Sequence, residues 1–178
     1  MKPEENQSIK SIKDLYQEFQ QPIYRYLLRL SGSHQAAEDL TQETFYQAVM
    51  SIYRFKGNSK ASTWLYKIAR NTYLNEKRHQ IKTIKLEQKM ESQVESYYAG
   101  QPTPDKSFEK KLIAEKVHHA LQLLPEHYRT VILLREYEEL THAEISKVIN
   151  KTPASSKVLL YRAKQKFKEE YLRLEGKK

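Results

Sequence analysis

The sequence has no cysteine, and only four of its 178 residues are glycine. Without cysteine the chain can form neither a disulfide bond nor a thiolate metal site, so we expect a protein of the reducing cytosol. No apolar run approaches the roughly 18 residues of a membrane span, and the polar first residues do not resemble a signal peptide. These absences predict a cytoplasmic protein, and the sequence offers no candidate metal or cofactor site.

The scarcity of glycine and the lack of alternating polar and apolar residues argue against a β-sheet protein. Hydrophobic residues make up 39% of the chain, which is enough for small cores. Apolar residues recur at helical spacing on both sides of a polar segment that carries Gly100 and two nearby prolines. We therefore predict an all-α protein with two small helical domains, 9–80 and 108–174, and a flexible linker over 81–107 that is helical only at its start.

Two features of the first domain give specific expectations. Pro22 lies inside the first helical pattern, 9–30, and predicts a kink or a break there. The second pattern, 35–52, places Val49 and Ile52 among the residues available for burial, and it leaves an acidic, polar ridge exposed on the other side.

The segment from Thr141 to Phe167 has the pattern of two helices joined by a tight turn. Thr141 and Glu144 form a capping box at the start of the first helix. Thr152 is placed to cap the second helix, and Pro153 occupies its first turn, where the missing N–H costs nothing. This arrangement predicts a helix-turn-helix, whose second helix is shaped to lie in a DNA major groove.

The second helix of this motif has one face that can pack inward, at 100° of rotation per residue. The inward residues are Ser156, Leu160, Ala163 and Phe167. The outward residues are Ala154, Ser155, Val158, Tyr161, Arg162 and Gln165.

The net charge of +9 is concentrated in two blocks. Residues 151–168 contain six basic residues and no acid, while residues 54–85 contain nine basic residues and one acid, Glu76. Such densities suit phosphate neutralisation, although a lysine-rich outer face is also common on an ordinary amphipathic helix. The helix-turn-helix pattern favours DNA as the partner of the 151–168 block.

The block over 54–85 begins with a polar loop, 54–60, and continues into a helix from about residue 62. Aromatic side chains interleaved with basic ones are typical of single-stranded nucleic acid binding, because every base offers a face for stacking. Trp64 and Tyr73 could instead belong to the core. For Trp64 we expect both roles, with the indole shared between packing and a groove.

Two pairs of motifs resemble a known family. The stretch AEDLTQETFYQAV, 37–49, followed by STWLYKIARNTYLNEKR, 62–78, resembles region two of bacterial sigma factors of the extracytoplasmic-function group. The stretch LPEHYRTVILLREYEELTHAEIS followed by YRAKQKF resembles their region four. The resemblance covers nearly the whole chain except its first residues and the linker, and it is far more specific than a lone helix-turn-helix.

The resemblance implies that the first domain docks on the clamp helices of the largest catalytic subunit of core RNA polymerase and opens the minus-ten promoter element, while the second domain recognises the minus-thirty-five element. It also implies an inhibitory anti-sigma factor, often membrane-anchored. The residues that it implies for polymerase docking are Asp39, Gln42 and Glu43. Those implied for minus-ten DNA are Phe55, Lys56, Asn58, Ser59, Lys60, Ser62, Trp64, Lys67, Arg70, Asn71, Asn75, Lys77 and Arg78. Those implied for minus-thirty-five DNA are Thr152, Ser155, Lys157, Val158, Tyr161, Arg162 and Lys164.

The recognition helix departs from the family pattern. Members often have Thr-Val-Lys-Ser-Arg where this chain has Ser-Ser-Lys-Val-Leu. Leu159 takes the place of a phosphate-binding arginine, and the apolar Val158 faces outward. Lys157, Arg162 and Lys164 remain, so we expect the DNA-binding role to persist while the base preference stays open.

Two other classes of function compete with this interpretation. Asp39 and Glu43, one helical turn apart, and the six histidines are the best candidates for an enzyme. No nucleophile, glycine-rich phosphate loop or metal-spaced histidine pair accompanies them, so we expect no catalytic activity. A conventional helix-turn-helix regulator, whose first domain senses or dimerises, is the stronger alternative, but it would not need the basic and aromatic block over 54–85.

Overall fold

The computed structural model describes residues 12–55, 57, 59–87 and 107–176. Lys56 and Asn58 of the predicted minus-ten site lie outside these residues, as does most of the predicted linker. The regular secondary structure of the described ranges is helical, which confirms the predicted fold class. In those ranges no helix combines the length and the apolar character that a membrane crossing requires.

The helices fall into two groups along the chain. The first group is α1 (Ile12–Ser31), α2 (His34–Ser51) and α3 (Ala61–Glu87), with a 3₁₀ turn at Ile52–Arg54. The second group is α4 (Ser107–Gln122), α5 (Glu126–Ile132), a π-helical turn at Leu133–Tyr137, α6 (His142–Ile149) and α7 (Pro153–Glu175).

Helix α1 continues through Pro22 without a break. A proline inside a helix removes one backbone hydrogen bond and costs about 3 kcal/mol. The residues that follow it, Ile23, Tyr26 and Leu27, are fully buried. Their burial outweighs that cost, since each such side chain contributes roughly 1.5–3 kcal/mol.

The buried face of α2 includes two threonines. The hydroxyl of Thr41 donates to the carbonyl of Ala37, and that of Thr44 donates to Leu40, both at 2.6 Å. Because each hydroxyl is satisfied within the helix, these side chains can face the core without leaving an unpaired polar group.

The prediction of burial is wrong at Val49 and is met only in part at Ile52. Val49 is 45% exposed, and Ile52 is only half-buried. The threonines take part of the inward face of α2, so Val49 lies beyond the edge of that face.

In α4, Leu112 and Ile113 are also exposed, although they have helical spacing with the core residues that follow them.

The helix-turn-helix forms as predicted. Thr141 Oγ1 accepts a hydrogen bond from the backbone N–H of Glu144 at 3.2 Å, and the Glu144 carboxylate accepts one from the N–H of Thr141 at 2.8 Å. Asn150, in the left-handed conformation with φ 53°, ends α6. Thr152 then caps α7 by accepting from the N–H of Ser155 at 3.1 Å.

The orientation of α7 also agrees with the prediction. Ser156, Leu160 and Ala163 are buried, and Phe167 packs against the core. The exposed residues include Ala154, Ser155, Val158, Tyr161, Arg162 and Gln165.

The last turn of α1 is capped by side chains from the second group of helices. The final carbonyls of a helix have no partner within it. Here Gln122 Nε2 donates to the Arg29 carbonyl at 2.8 Å, and Arg129 Nη1 donates to the Leu30 carbonyl at 2.6 Å. Gly32, at φ 77°, ends the helix where a side chain would press against the Gln122 amide.

The buried guanidinium of Arg129 also organises the turn between α4 and α5. It donates to the carbonyls of Leu121, Gln122 and Leu124 at 2.9, 2.8 and 3.0 Å. One side chain therefore holds this turn together and joins it to α1 in the first group of helices.

Replacing Arg129 by methionine should lower the free energy of unfolding by roughly 2–5 kcal/mol, because several buried carbonyls would lose their donor. Urea unfolding followed by circular dichroism measures the change. Arg78→Met is the matched control, since Arg78 is exposed and donates only to its neighbour Asn75 among the described residues. The control should stay within about 0.5 kcal/mol of the wild type, and an equal loss in both variants would contradict a special role for Arg129.

Candidate nucleic-acid and partner interfaces

The exposed side of α2 carries the predicted docking residues. Asp39, Gln42 and Glu43 all face solvent, while Ala37 and Leu40 on the other side enter the core. Gln47, one turn further along, donates to the Glu43 carboxylate at 2.7 Å. The structure therefore presents the three predicted residues together as one acidic, polar surface.

The same side of α2 continues as an apolar surface that the sequence interpretation missed. Tyr46 and Met50 are 57% and 54% exposed, and Val49 and Tyr53 are exposed beside them. They follow Asp39 and Glu43 at spacings of three and four residues, which place all of them on one helical face. That spacing is visible in the sequence, but from it we expect Val49 to be buried and assign no role to the other three residues.

An open groove between α2 and α3 connects two of the predicted sites. Its volume is about 890 Å³. Asp39 and Glu43 line it from α2, while Asn71 and Asn75 line it from α3. Predicted docking residues and predicted minus-ten residues thus lie across one groove.

Phe55 and Trp64 form an aromatic pair at the start of α3. Their ring centroids are 5.1 Å apart, and both side chains are half-buried. Trp64 also packs against the hydrophobic core. This placement agrees with an indole shared between the core and an open surface.

The basic and amide residues of α3 extend from this aromatic pair. Lys67 is half-buried, while Asn71, Asn75, Lys77 and Arg78 are exposed. Around the pair, Ser59 and Ser62 are half-buried and Lys60 is exposed. Most of the described residues of the predicted minus-ten site are therefore at least partly accessible to a strand along α3.

Two residues of this predicted site, Arg70 and Lys60, form ion pairs with carboxylates of the second group of helices. Arg70 binds the Glu126 carboxylate through Nε and Nη2 at 3.0 and 3.2 Å, and its side chain is only 13% exposed. Lys60 forms an ion pair with Glu144 at 2.9 Å. No local sequence pattern indicates these partners, because each pair is separated by more than fifty residues.

A third polar contact joins α3 to Glu138, the residue that follows the π-helical turn. The Tyr66 hydroxyl of α3 donates to the Glu138 carboxylate. From α1, the Arg29 guanidinium lies 4.3 Å from the ring centroid of Tyr137, the last residue of that turn. Burial raises the pKa of the Glu138 carboxyl above its usual range, while the Tyr66 hydroxyl, Arg29 and Arg25 oppose that shift. Burial also raises the pKa of the Tyr66 hydroxyl, which stays protonated as the donor.

The outward face of α7 brings together the residues predicted for duplex DNA. Thr152, Ser155, Lys157, Val158, Tyr161, Arg162 and Lys164 are all exposed. Lys164 forms an ion pair with Glu136 at 2.8 Å. Leu159, which replaces the arginine usual in the family, packs against the core, so it has a structural role in this chain.

Within the described ranges, no cluster of three or more histidine, aspartate or glutamate side chains could hold a metal ion. The described residues present three exposed surfaces: the acidic and apolar side of α2, the basic and aromatic side of α3, and the outward face of α7.

Comparison with known families matches both halves of the chain. Residues 15–83 match the family model described as Sigma-70 region 2, and residues 114–167 match the one described as Sigma-70, region 4. The chain is similar to the RNA polymerase sigma factor YlaC of Bacillus subtilis, with 31% identity over 160 residues that cover 89% of this chain and 91% of that protein. It is also similar to the ECF RNA polymerase sigma factor SigM of the same organism, with 30% identity over 163 residues, 92% of this chain and 96% of that protein.

The fold is shared with solved structures, and two of them are complexes. One is the sigma factor RpoE from Bartonella quintana in complex with the anti-sigma factor NepR, with a TM-score of 0.71, 20% identity, and coverage of 89% of this chain and 96% of that one. The other is CnrH in complex with the cytosolic domain of CnrY, with a TM-score of 0.64, 14% identity, and coverage of 97% and 92%.

Replacing Glu138 by glutamine should make the chain more stable than the wild type as pH rises. Because the folded-state pKa of Glu138 is raised, its contribution to stability is complete below its unfolded pKa, about 4.3, and is lost as pH rises through the folded pKa. Glutamine keeps an acceptor for Tyr66 without a buried charge. Urea unfolding between pH 4 and pH 8 should show equal stability at the acid end and a growing advantage of Glu138→Gln above it.

Tyr66→Phe provides the comparison for this experiment. The Tyr66 hydroxyl favours the charged carboxylate, so its removal should extend the pH-dependent range upward. An advantage of Glu138→Gln that shrinks with rising pH would contradict the assignment.

Proposed function

Because the chain belongs to the sigma-70 family of RNA polymerase sigma factors, in its extracytoplasmic-function group, we propose that its exposed surfaces divide between the polymerase and the two promoter elements. The family that the sequence resembles is thereby confirmed. The chain is a transcription initiation factor whose partners are core RNA polymerase and promoter DNA. The alternative of a conventional regulator is set aside, because the match includes region 2 as well as the helix-turn-helix region.

The observation that carries the division of surfaces is the groove between α2 and α3. Its α2 wall bears the exposed carboxylates Asp39 and Glu43, which suit a basic protein partner. Its α3 wall bears the amides Asn71 and Asn75, and the Phe55 and Trp64 rings lie at the start of the same helix. A polymerase contact on α2 would therefore hold the promoter strand beside α3.

Docking on α2 would use both of its exposed halves. The acidic half, Asp39, Gln42 and Glu43, supplies charge complementarity. The apolar half, which includes Tyr46 and Met50, supplies surface whose burial favours association. A partner helix with basic residues followed by apolar ones would match this face along its length.

Strand separation at the minus-ten element would use the aromatic and basic side of α3. Flipping a base out of a duplex costs a few kcal/mol, which stacking on an aromatic side chain can offset. The half-exposed Trp64 and Phe55 are placed for such stacking, and Lys67 and Arg78 can neutralise phosphates along the helix. The outward face of α7 would recognise the minus-thirty-five duplex.

The two domains must separate when both elements are bound. The elements are centred about 25 base pairs apart, or roughly 85 Å at 3.4 Å per base pair. In this structure Arg70 and Glu126 are 3.0 Å apart. The closed arrangement, in which Arg70 contacts Glu126 and Lys60 contacts Glu144, therefore has to open on the promoter. Opening would also release Arg70 and Lys60 for DNA.

An anti-sigma factor is the further partner that we propose. One solved structure with this fold is a sigma factor in complex with an anti-sigma factor, and another is CnrH in complex with the cytosolic domain of CnrY. Such an inhibitor, membrane-anchored as the family resemblance suggests, would cover the α2 surface. We also propose that the chain acts in the cytoplasm and has no catalytic activity of its own.

Reversing the charges of Asp39 and Glu43 to arginine should weaken binding to core RNA polymerase by roughly 100-fold or more, because like charges across a protein contact cost several kcal/mol. Gel filtration with purified core polymerase and a titration of labelled protein measure the loss. The control variant combines Glu115→Arg on α4 with Glu175→Arg on α7. It makes the same change of net charge away from α2, and we expect it to bind core RNA polymerase as the wild type does. Undiminished binding of a folded Asp39→Arg, Glu43→Arg variant would remove α2 from the interface.

Replacing Trp64 by alanine should damage promoter opening by about 5-fold to 150-fold, since stacking contributes about 1–3 kcal/mol per base. Transcription from a fully duplex promoter should fall by that factor, while a promoter with a pre-melted bubble should lose much less. Trp64→Phe keeps an aromatic ring, and its transcription from the duplex promoter is expected to lie between that of the wild type and that of Trp64→Ala. If Trp64→Ala folds and is equally active on both templates, the melting role of α3 is wrong.

A further inference from the structure

The centre of the outward face of α7 is apolar. Val158 is 51% exposed and Tyr161 is 66% exposed. The two residues are three positions apart, so they lie on one face of the helix. Polar side chains surround them: Ser155 and Lys157 before them, and Arg162 after them.

Packing within the protein does not account for these two side chains. The inward face of α7 is already filled by Ser156, Leu160 and Ala163, and Leu159 covers the flank next to the core. Valine is also a weaker helix former than most residues that suit an exposed position. Neither burial nor helix stability explains an apolar pair at this place.

The polar groups nearby are partly engaged with each other. Thr152 Oγ1 accepts from the Ser155 N–H at 3.1 Å and donates to Ser155 Oγ at 2.9 Å, so both hydroxyls take part in capping α7. Lys164 is held by Glu136 at 2.8 Å. Lys157 and Arg162 make no hydrogen bond or ion pair with described residues, which leaves two cations beside the apolar pair.

The major groove presents one apolar group to a recognition helix, the C5 methyl of thymine. Resting on the proposed role of α7 at the minus-thirty-five element, we propose that Val158 and Tyr161 contact thymine methyl groups and make thymine the preferred base at those positions. Three residues of helix rise by about 4.5 Å, close to the 3.4 Å step between base pairs, so the two side chains reach neighbouring base pairs.

This assignment connects the departure of the recognition helix from its family to a specific chemical preference. Lys157 and Arg162 would hold the helix against phosphates or a flanking base, while the apolar pair would discriminate against cytosine, which lacks the methyl group.

The test uses the full-length protein as holoenzyme with core RNA polymerase. Selection from a library of duplexes randomised upstream of a fixed minus-ten element should enrich an upstream element that contains thymine at one or two neighbouring positions. Uracil then replaces each thymine, which removes the methyl group and keeps the base pair. Loss of one buried methyl should weaken binding about 4-fold.

Val158→Ala is the decisive variant, and it should fold, because alanine is the better helix former. It should bind the thymine duplex more weakly than the wild type does. Replacing the thymine that Val158 contacts by uracil should not weaken the binding of this variant any further. Lys157→Ala is the matched control, and it should weaken the thymine and uracil duplexes by the same factor, because it acts on phosphates.

The outcomes bear on two separate claims. Equal binding of thymine and uracil duplexes by the wild type would overturn the methyl contact, as would an undiminished methyl effect at every thymine in Val158→Ala. Failure of the holoenzyme to enrich any upstream element would overturn the role of α7 itself, and with it the thymine proposal.

Discussion

The structure depends most on the buried guanidinium of Arg129. A helix that ends inside a protein leaves carbonyls that water cannot reach, and these must find donors elsewhere. Arg129 and Gln122 supply the donors for the last turn of α1, and Arg129 also closes the turn from α4 to α5. Its positive charge lies where the dipole of α1 favours a cation. This arrangement joins the two domains together with the Arg70–Glu126, Lys60–Glu144 and Tyr66–Glu138 contacts.

Helix α3 belongs to the first domain but also contacts the second, because different residues lie on its different sides. One side carries Trp64, Lys67 and Asn71 toward solvent, whereas another carries Tyr66 and Arg70 toward the second domain. Closure therefore occupies Arg70 and Lys60, two of the residues proposed for strand binding. Under the proposed function, these side chains cannot bind Glu126 and Glu144 and contact DNA at the same time.

The local features were the most predictable from the sequence. The capping box at Thr141, the cap at Thr152 and the inward face of α7 involve residues no more than a few positions apart, so their geometry follows from helix periodicity alone. The family motifs were recognisable for the same reason. The error at Val49 arose where packing against other helices decided the outcome, and such packing also keeps α1 helical through Pro22.

The sequence by itself determined the helical class, the helix-turn-helix and the family, because periodicity, capping and motif spacing are properties of neighbouring residues. Only the tertiary structure decided the contacts of Arg70 with Glu126 and of Arg129 with Leu30, since a partner more than fifty positions away leaves no trace in local spacing. It also decided that Tyr46 and Met50 face solvent rather than the core. Apolar residues at helical spacing define a face, but only packing against other helices determines whether that face is covered.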